Sequence, residues 1–554
     1  MRKKHMLSLF MLVVGVALLV AATTVASASA HRTAAPKKAN AAPKRGGTLR
    51  VNQSTTDFDQ VDPGLAYVTN DWTLDYVIGQ NLVNFPEKNG QAGSVLYPEA
   101  ATAFPTISGN GTIYTFHIRP GLKFSDGSPV TAASFQRAWE RILSPKMGSP
   151  YGVNDQFQFV VKGGLDFLNG KAQHISGITA KGLVLTFHLT KPNPTFTSYL
   201  SMQWFMAVKP NMPYTSTGLN TFPSAGPYFI ASRDPGRVTV LKRNPFYKGS
   251  RPANADQIVI TSNTDPDQSL LQIKAGQADL DMNGVPSTAA ADLGSTYGVN
   301  KGRFFVGPTS CVDYLLLNTA RPIFGNLKAR IAANWGIDRP ALLRILGKYA
   351  GARTDQILVP GIPGYKPYRI YAFAGANVAK AKQIGGSALT GSVNVVHSPS
   401  PTRTAQAQII EFNLKQMGFK VNDVPVPGTI YYTNLETKGT TYDIARAGWC
   451  ADYFDPFDYI NVLLDGRSIQ DKNNTDMSYL MAPKLNKAMD AAASLTGAAR
   501  AAAYAKLDLL VMRDYAPWVP YEVDNTRYLV SSRVHNWIYS AYVGEPDLNA
   551  LSVG

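Results

Sequence analysis

The densest run of chemistry-bearing groups in this chain is Trp449-Cys450-Ala451-Asp452-Tyr453, where a carboxylate and a thiol stand among two aromatic rings. A carboxylate in such surroundings can hold an ammonium group through a charge-assisted hydrogen bond. On residue type alone, a solvated loop carboxylate or a helix cap near Asp455-Pro456 comes first. Cys450 has one possible partner, Cys311. In an exported chain a single disulfide is the economical reading and two buried free thiols the alternative. Such a bridge would close a loop of about 140 residues, which chain-entropy models value at roughly 4 to 5 kcal/mol. Catalytic signatures are missing: there is no His-Glu-x-x-His, no Gly-x-Ser-x-Gly and no phosphate-cradling Gly-x-x-x-x-Gly-Lys-Ser/Thr. Gly109-Asn110-Gly111 reads as a turn. The seven histidines are scattered singly, and His117 and His188 sit in strand patterns as packed or half-exposed imidazoles. A metal site needs several convergent donors, which the spacing does not offer. We expect no enzyme, no cofactor and no metal.

The N-terminus resembles an export signal. Arg2, Lys3 and Lys4 precede an apolar run over 6–22, and Ala28-Ser29-Ala30 has the form of a cleavage site, so residues 1–30 are expected to be removed. A retained anchor is the alternative, since the apolar stretch is almost long enough to cross about 30 Å of hydrocarbon. Residues 31–45 are a basic Ala/Pro linker with no large apolar side chain, a composition that cannot offset ordering entropy. Residues 1–45 hold eight of the 54 Lys/Arg and no acid, so half of the net +16 belongs to them. The remaining +8, spread over some five hundred residues, argues only weakly for anionic ligands or nucleic acid, and no compact basic-aromatic cluster stands out, so no nucleic-acid partner is expected. Attraction to an acidic membrane or wall surface through the linker is the expected consequence.

The elements that must position the 449–453 run alternate between strand and helix. Period-two patterns predict strands at 114–119 and 183–189, with Asp126-Gly127 in a hairpin-type turn after the first. Further strands are predicted at 48–51, 238–241, 258–260, 314–317, 393–396 and 419–421. Helical spacing predicts a helix from a Thr131 cap through Ile142, and others over 267–275, 326–337, 339–346, 404–417, 484–494 and 500–512. The β-helix-β order of the second half indicates an α/β fold.

Several pieces, met in one order, resemble the extracytoplasmic solute-binding proteins of family 5, which serve oligopeptide, dipeptide and some nickel importers. They are Arg45-Gly46-Gly47-Thr48-Leu49-Arg50, Asp62-Pro63, Tyr114-Thr115-Phe116, Lys123-Phe124-Ser125-Asp126-Gly127 and Pro129-Val130-Thr131-Ala132. Gly226-Pro227-Tyr228, Arg243-Asn244-Pro245, Gly276-Gln277-Ala278-Asp279, Leu317-Asn318-Thr319 and Pro322-Ile323-Phe324 follow. The run from Ala445 to Tyr453 is similar to the oligopeptide-binding branch.

The resemblance implies an α/β, two-lobed fold of the periplasmic-binding-protein type II kind, with an extra domain inserted in lobe one. Lobe one is placed at 46–80, 209–305 and 525–554, the extra domain at 81–208 and lobe two at 306–524. It implies a peptide ligand held between the lobes and delivered to the permease subunits of an ABC importer, by a monomer outside the cytoplasm that meets the membrane through the permease or its N-terminal segment. Asp452 would pair with the ligand's α-ammonium, and the main chain of Gly448, Trp449 and Cys450 would bond its backbone. Arg446 would reach a ligand carboxylate, with a salt bridge to Asp443 or Asp452 as the alternative. Trp449 and Tyr453 would wall the site, and Tyr67 with Val68 would form an opposing strand. Cys311 and Cys450 fall where the branch has its disulfide. The chain departs from the family in three places. No cysteine in the signal region could carry a lipid, Ile430-Tyr431-Tyr432 stands where a tryptophan is expected, and Thr437 replaces an arginine. Tyr431 is accordingly counted with the ligand-binding residues. A binder of a sugar or a nickel chelate, and a secreted hydrolase, are the competing functions.

Overall fold

The computed structural model describes residues 45–54, 57–149, 151–154 and 157–554. The expected signal segment and all of the linker except Arg45 lie outside them. Three large sheets organise the described chain. A five-stranded mixed sheet runs in the order Leu280–Asp281, Thr48–Ser54, Gln257–Thr264, Val238–Arg243, Tyr228–Asp234. Alternate residues Leu49, Val51, Ile258, Ile260 and Leu241 are buried on one face, as a half-solvated sheet requires.

A four-stranded antiparallel sheet is ordered Thr106–Ser108, Ile113–His117, Val184–His188, Ile178–Lys181. The helix Ala132–Leu143 covers it, burying Phe135, Trp139 and Ile142 against Phe116 and Phe187. Its start is fixed as expected: the Ser134 hydroxyl accepts from Thr131 N–H at 3.2 Å, half of a capping box. Asp62, of the Asp62-Pro63 piece, is completely buried and paired with buried Arg141 at 2.5 Å.

The six-stranded sheet has the order Gly351–Ala352, Trp518–Leu529, Phe304–Leu317, Ile444–Cys450, Ser392–His397, Lys420–Pro425. Both faces are covered, one by a core around Tyr314, Leu316, Ala447 and Trp518, the other by a core around Leu315, Ile444 and Val393 with helices Leu327–Gly336 and Pro401–Met417. The latter helix ends at Gly418, φ +119, a left-handed position that suits glycine.

One of these strands is longer and more broken than the sequence pattern predicts, and the pattern predicts neither Trp518–Leu529 nor Ile444–Cys450 as a strand. The strand expected at 314–317 is the end of Phe304–Leu317, because the turn-type residues Gly307-Pro308-Thr309-Ser310 mask its first part. Pro308 is tolerated since pairing with Trp518–Leu529 is interrupted between Pro308 and Val312. Beyond that break the same two strands reach the five-stranded sheet's neighbourhood, where Val285 N–H donates to Arg527 O and Ser531 N–H to Asp279 O. The helix expected over 500–512 spans Gly497–Leu510, and a π-helical turn, Val511–Tyr515, follows.

The cores enclose several carboxyls whose burial pushes them up: Asp71 to about 7, Asp508 to about 7 and Glu545 to about 8. Asp508 accepts from the main-chain N–H groups of Ile357 and Leu358, and Glu545 from the Tyr528 hydroxyl. Such groups keep their protons in the fold but lose them near pH 4 when unfolded. Their stabilisation is complete below about pH 4 and is lost as pH rises through about 7 to 8. Thermal denaturation is expected to give a higher Tm at about pH 5.5 than at about pH 8.5; a Tm that climbs with pH across that window would contradict this.

Candidate functional site

The site is built on Ile444–Cys450. This strand pairs along its whole length with residues 311–317, Cys311 facing Cys450 and Asp313 facing Gly448. On its other side only Ile444 and Ala445 pair, with Val395 and Val396. Among the described residues, no strand lies beside 446–450 on that edge. Alternation puts Ala445, Ala447 and Trp449 against the core around Tyr314, and turns Arg446 and Gly448 to the other face. The Cys311–Cys450 disulfide locks the register.

The chain then leaves the sheet as a loop held by one carboxylate. Asp458, in the first turn of helix Phe457–Leu464, accepts from Asp452 N–H at 2.9 Å and from Trp449 Nε1–H at 3.2 Å through the same oxygen. Asp452 itself is only 9% exposed, and the Tyr67 hydroxyl donates to its Oδ2 at 3.4 Å. Tyr67 is fixed by rings, stacked at 5.3 Å on Trp204 and edge-on to Trp72 at 5.8 Å. The far side of the loop docks on the region of the four-stranded sheet. Tyr453 is buried in that region's core against Tyr199, and Phe454 meets Phe85. Arg500, paired with Asp455 at 2.8 Å, also donates to Thr195 Oγ1 at 2.7 Å. The loop thus bridges two separate cores.

Beside the free strand edge lies a cavity of about 140 Å³ lined by His397, Arg403, Gln406, Tyr431, Arg446 and Tyr521. The Tyr431 hydroxyl donates to Arg446 O at 2.9 Å, so this ring braces the strand from the cavity side. Arg446 Nη2 reaches both oxygens of Asp313 at 2.5 Å. Burial by itself would lower the Arg446 pKa; the adjacent Asp313 carboxylate outweighs it and holds it well above the usual value.

The structure brings Tyr67, Trp449 and Asp452 together, and places Gly448, Cys450, Arg446 and Tyr431 along one strand edge and its cavity. Three expectations change. Arg446 is paired with neither Asp443 nor Asp452 but with Asp313, two residues along the facing strand from its own partner; Asp443 instead pairs with Arg321. Residues 67 and 68 form no strand, because Val68 is the extended N-cap of helix Thr69–Ile78 and stands 48% exposed. Asp452 is neither solvated nor a cap; Asp455 takes the cap-like role, accepting from Phe457 N–H at 2.8 Å. Thr437 bonds Thr433 O in its own helical turn. Asp313, Asp458 and Arg403 were not singled out by sequence. Asp458 had a detectable signal, an acid in the first turn after Asp455-Pro456; Asp313 had one as a lone charge inside an apolar strand.

Gly448 is required by close packing, since a Cβ there would collide with the Asp313 carboxylate next to Arg446. Gly448→Ala is expected to push that ion pair off the strand at a cost of about 1 to 3 kcal/mol, read as a lower urea midpoint with unchanged m. An unchanged midpoint would contradict the packing described.

The family model for bacterial extracellular solute-binding proteins, family 5 (middle), matches residues 95–471. The periplasmic oligopeptide-binding protein OppA of Escherichia coli is 25% identical over 475 residues, covering 82% of this chain and 83% of its own. OppA of Bacillus subtilis is 24% identical, covering 76% and 77%. Among solved structures, the clavulanic acid biosynthesis oligopeptide binding protein 2 superposes with a TM-score of 0.85 at 22% identity, over 92% of this chain and 96% of that one. OppA of Haemophilus influenzae, in complex with RPPGFSPFR, gives 0.69 at 22% identity over 92% and 99%. The two-lobed α/β fold expected from sequence is the fold of these structures.

Proposed function

Because this chain belongs to the family 5 bacterial extracellular solute-binding proteins, we propose that it binds peptides in the cleft beside 446–450 and delivers them to an ABC importer. The observation that carries this reading is the nearly buried Asp452 carboxylate at the end of a strand edge that, among the described residues, no other strand occupies. An extended peptide laid on that edge would gain main-chain hydrogen bonds whatever its side chains, as in strand addition. Its α-ammonium would meet Asp452, with Tyr67 orienting the carboxylate. Trp449 would wall a side-chain pocket, and the cavity at Tyr431 and Arg446 would take a further residue with water filling the remainder.

The lobes we propose are 46–80, 209–305 and 525–554 for the first, with 81–208 as the extra domain, and 306–524 for the second. The five-stranded sheet draws all its strands from the first set, and the four-stranded sheet all of its own from 81–208. Both junctions fall in the crossing strands, close to the interruption at 308–312. Ligand would select the closed arrangement, in which the 449–455 loop touches both cores, and no covalent step is involved. The protein would act as a monomer outside the cytoplasm. Among the described residues no helix is long and apolar enough to cross a membrane.

Calorimetry with a pool of short peptides tests the assignment. Free-amine peptides are expected to bind, and N-acetylation or Asp452→Ala to weaken binding by about 3 kcal/mol or more, since either leaves one buried charge unpaired. Equal affinity for acetylated and free peptides would remove Asp452 from the site. Recovery of shortened peptides would replace binding by hydrolysis.

A further inference from the structure

Three carboxylates cluster at the break in the crossing strands, Asp313, the partner of Arg446, and two that the proposed cleft does not use, Glu522 and Asp524. Asp313 on Phe304–Leu317 pairs in register with Glu522 on Trp518–Leu529, and Asp524 lies two residues further along that strand. One carboxylate oxygen from each lies within 4.8 Å of the other two. The neighbouring strand makes room: a Cβ at Gly351 would stand 2.6 Å from Glu522 Oε1. Asp313 is 4% and Glu522 1% exposed, whereas Asp524 is half-buried and opens the group to solvent.

Like charges this close are unfavourable without compensation. Arg446 compensates one of them, on Asp313, and the Tyr521 hydroxyl adds a bond to Asp313 Oδ2 at 3.1 Å. Arg403 and Arg527 donate to neutral acceptors, Gln406 Oε1 and the carbonyls of Leu346 and Lys348, so their charges also act on the group. Glu522 Oε2 is buried and accepts no hydrogen bond from any described group. Asp313 Oδ1 takes a bond from Arg446 Nη2, and a carboxylate oxygen has room for a second partner.

We propose that Asp313, Glu522 and Asp524 bind one divalent cation of the oxygen-preferring class, Ca²⁺ before Mg²⁺. The three oxygens lie close enough together for one ion to touch all of them. A nearly buried all-carboxylate set suits Ca²⁺, which accepts flexible geometry, better than Mg²⁺, which dehydrates reluctantly and keeps several waters. An all-carboxylate set with no nitrogen or sulfur donor disfavours zinc and copper. Water entering past Asp524 would complete the coordination. The ion would tie Phe304–Leu317 to Trp518–Leu529 beside their interruption, where the chain passes between the two large sheets.

The full-length protein, stripped with EDTA and free of peptide, is titrated with CaCl₂ by calorimetry, and its Tm is measured with and without millimolar Ca²⁺. One equivalent should bind and Tm should rise. Glu522→Gln and Asp524→Asn should each weaken binding at least about tenfold and abolish the Tm rise, with an unchanged far-UV spectrum and an apo Tm no lower than the parent's. Should Glu522→Gln fail to fold, Asp524→Asn at the half-exposed position carries the test alone. No heat and no Tm shift with Ca²⁺, Mg²⁺ or Mn²⁺ would overturn the site, as would binding that persists undiminished in the variants. Since no peptide is present, this outcome is independent of the peptide assignment.

Discussion

Phe304–Leu317 and Ile444–Cys450 run antiparallel with Cys311 opposite Cys450, and the position of every group in the cleft follows from that register. A slip of one residue would turn Arg446 and Gly448 into the Tyr314 core and Trp449 out of it. The disulfide forbids the slip, and Gly448 allows the Arg446–Asp313 pair to lie flat against the strand. The departure of Ser392–His397 after Val396 then leaves 446–450 with an edge on offer. Such an edge is ordinarily a liability in a sheet; here it lies beside the cavity lined by Tyr431 and Arg446, where it would serve the proposed ligand.

The loop that follows is held by contacts of two kinds. Directional ones, Asp458 to Asp452 N–H and Trp449 Nε1–H, set its shape. Apolar ones, Tyr453 on Tyr199 and Phe454 on Phe85, set where it docks, and they reach across to the region of the four-stranded sheet. Burial of aromatic rings is non-directional and roughly proportional to area, so these contacts can form and separate as a unit while the hydrogen-bonded shape of the loop persists. That division would suit the ligand-selected closure proposed above. Arg500, joining Asp455 to Thr195, adds a polar contact to the same interface.

Much of this was legible in the chain itself. Period-two and helical patterns located three strands of the six-stranded sheet and helices such as Leu327–Gly336 and Pro401–Met417, but not the strands Ile444–Cys450 and Trp518–Leu529. Gly418 and Thr131 act at helix ends as their types suggest. The ordered motifs led to the fold, and the cysteine pairing implied by the resemblance is present. What was not legible shares a cause: it depends on residues distant in sequence meeting across strands. Nothing near Arg446 announces Asp313, 133 positions earlier. Glu522 and Asp524 carry a faint signal, two acids at strand spacing within an apolar run, but only the pairing with Asp313 makes them a cluster. Val68 misled because the residues before a helix are extended, and extended backbone without a partner is not a strand. Phe304–Leu317 was underestimated because Pro308 and its neighbours resemble a turn, and they interrupt its pairing with Trp518–Leu529.

A crystal structure of the protein with a bound tripeptide would test the central claim most directly. The account predicts the peptide's amino group at hydrogen-bond distance, about 2.7 to 3.2 Å, from the Asp452 carboxylate, with its main chain paired along 446–450. Density lying elsewhere, or a peptide with its amino terminus directed at Arg446, would contradict it.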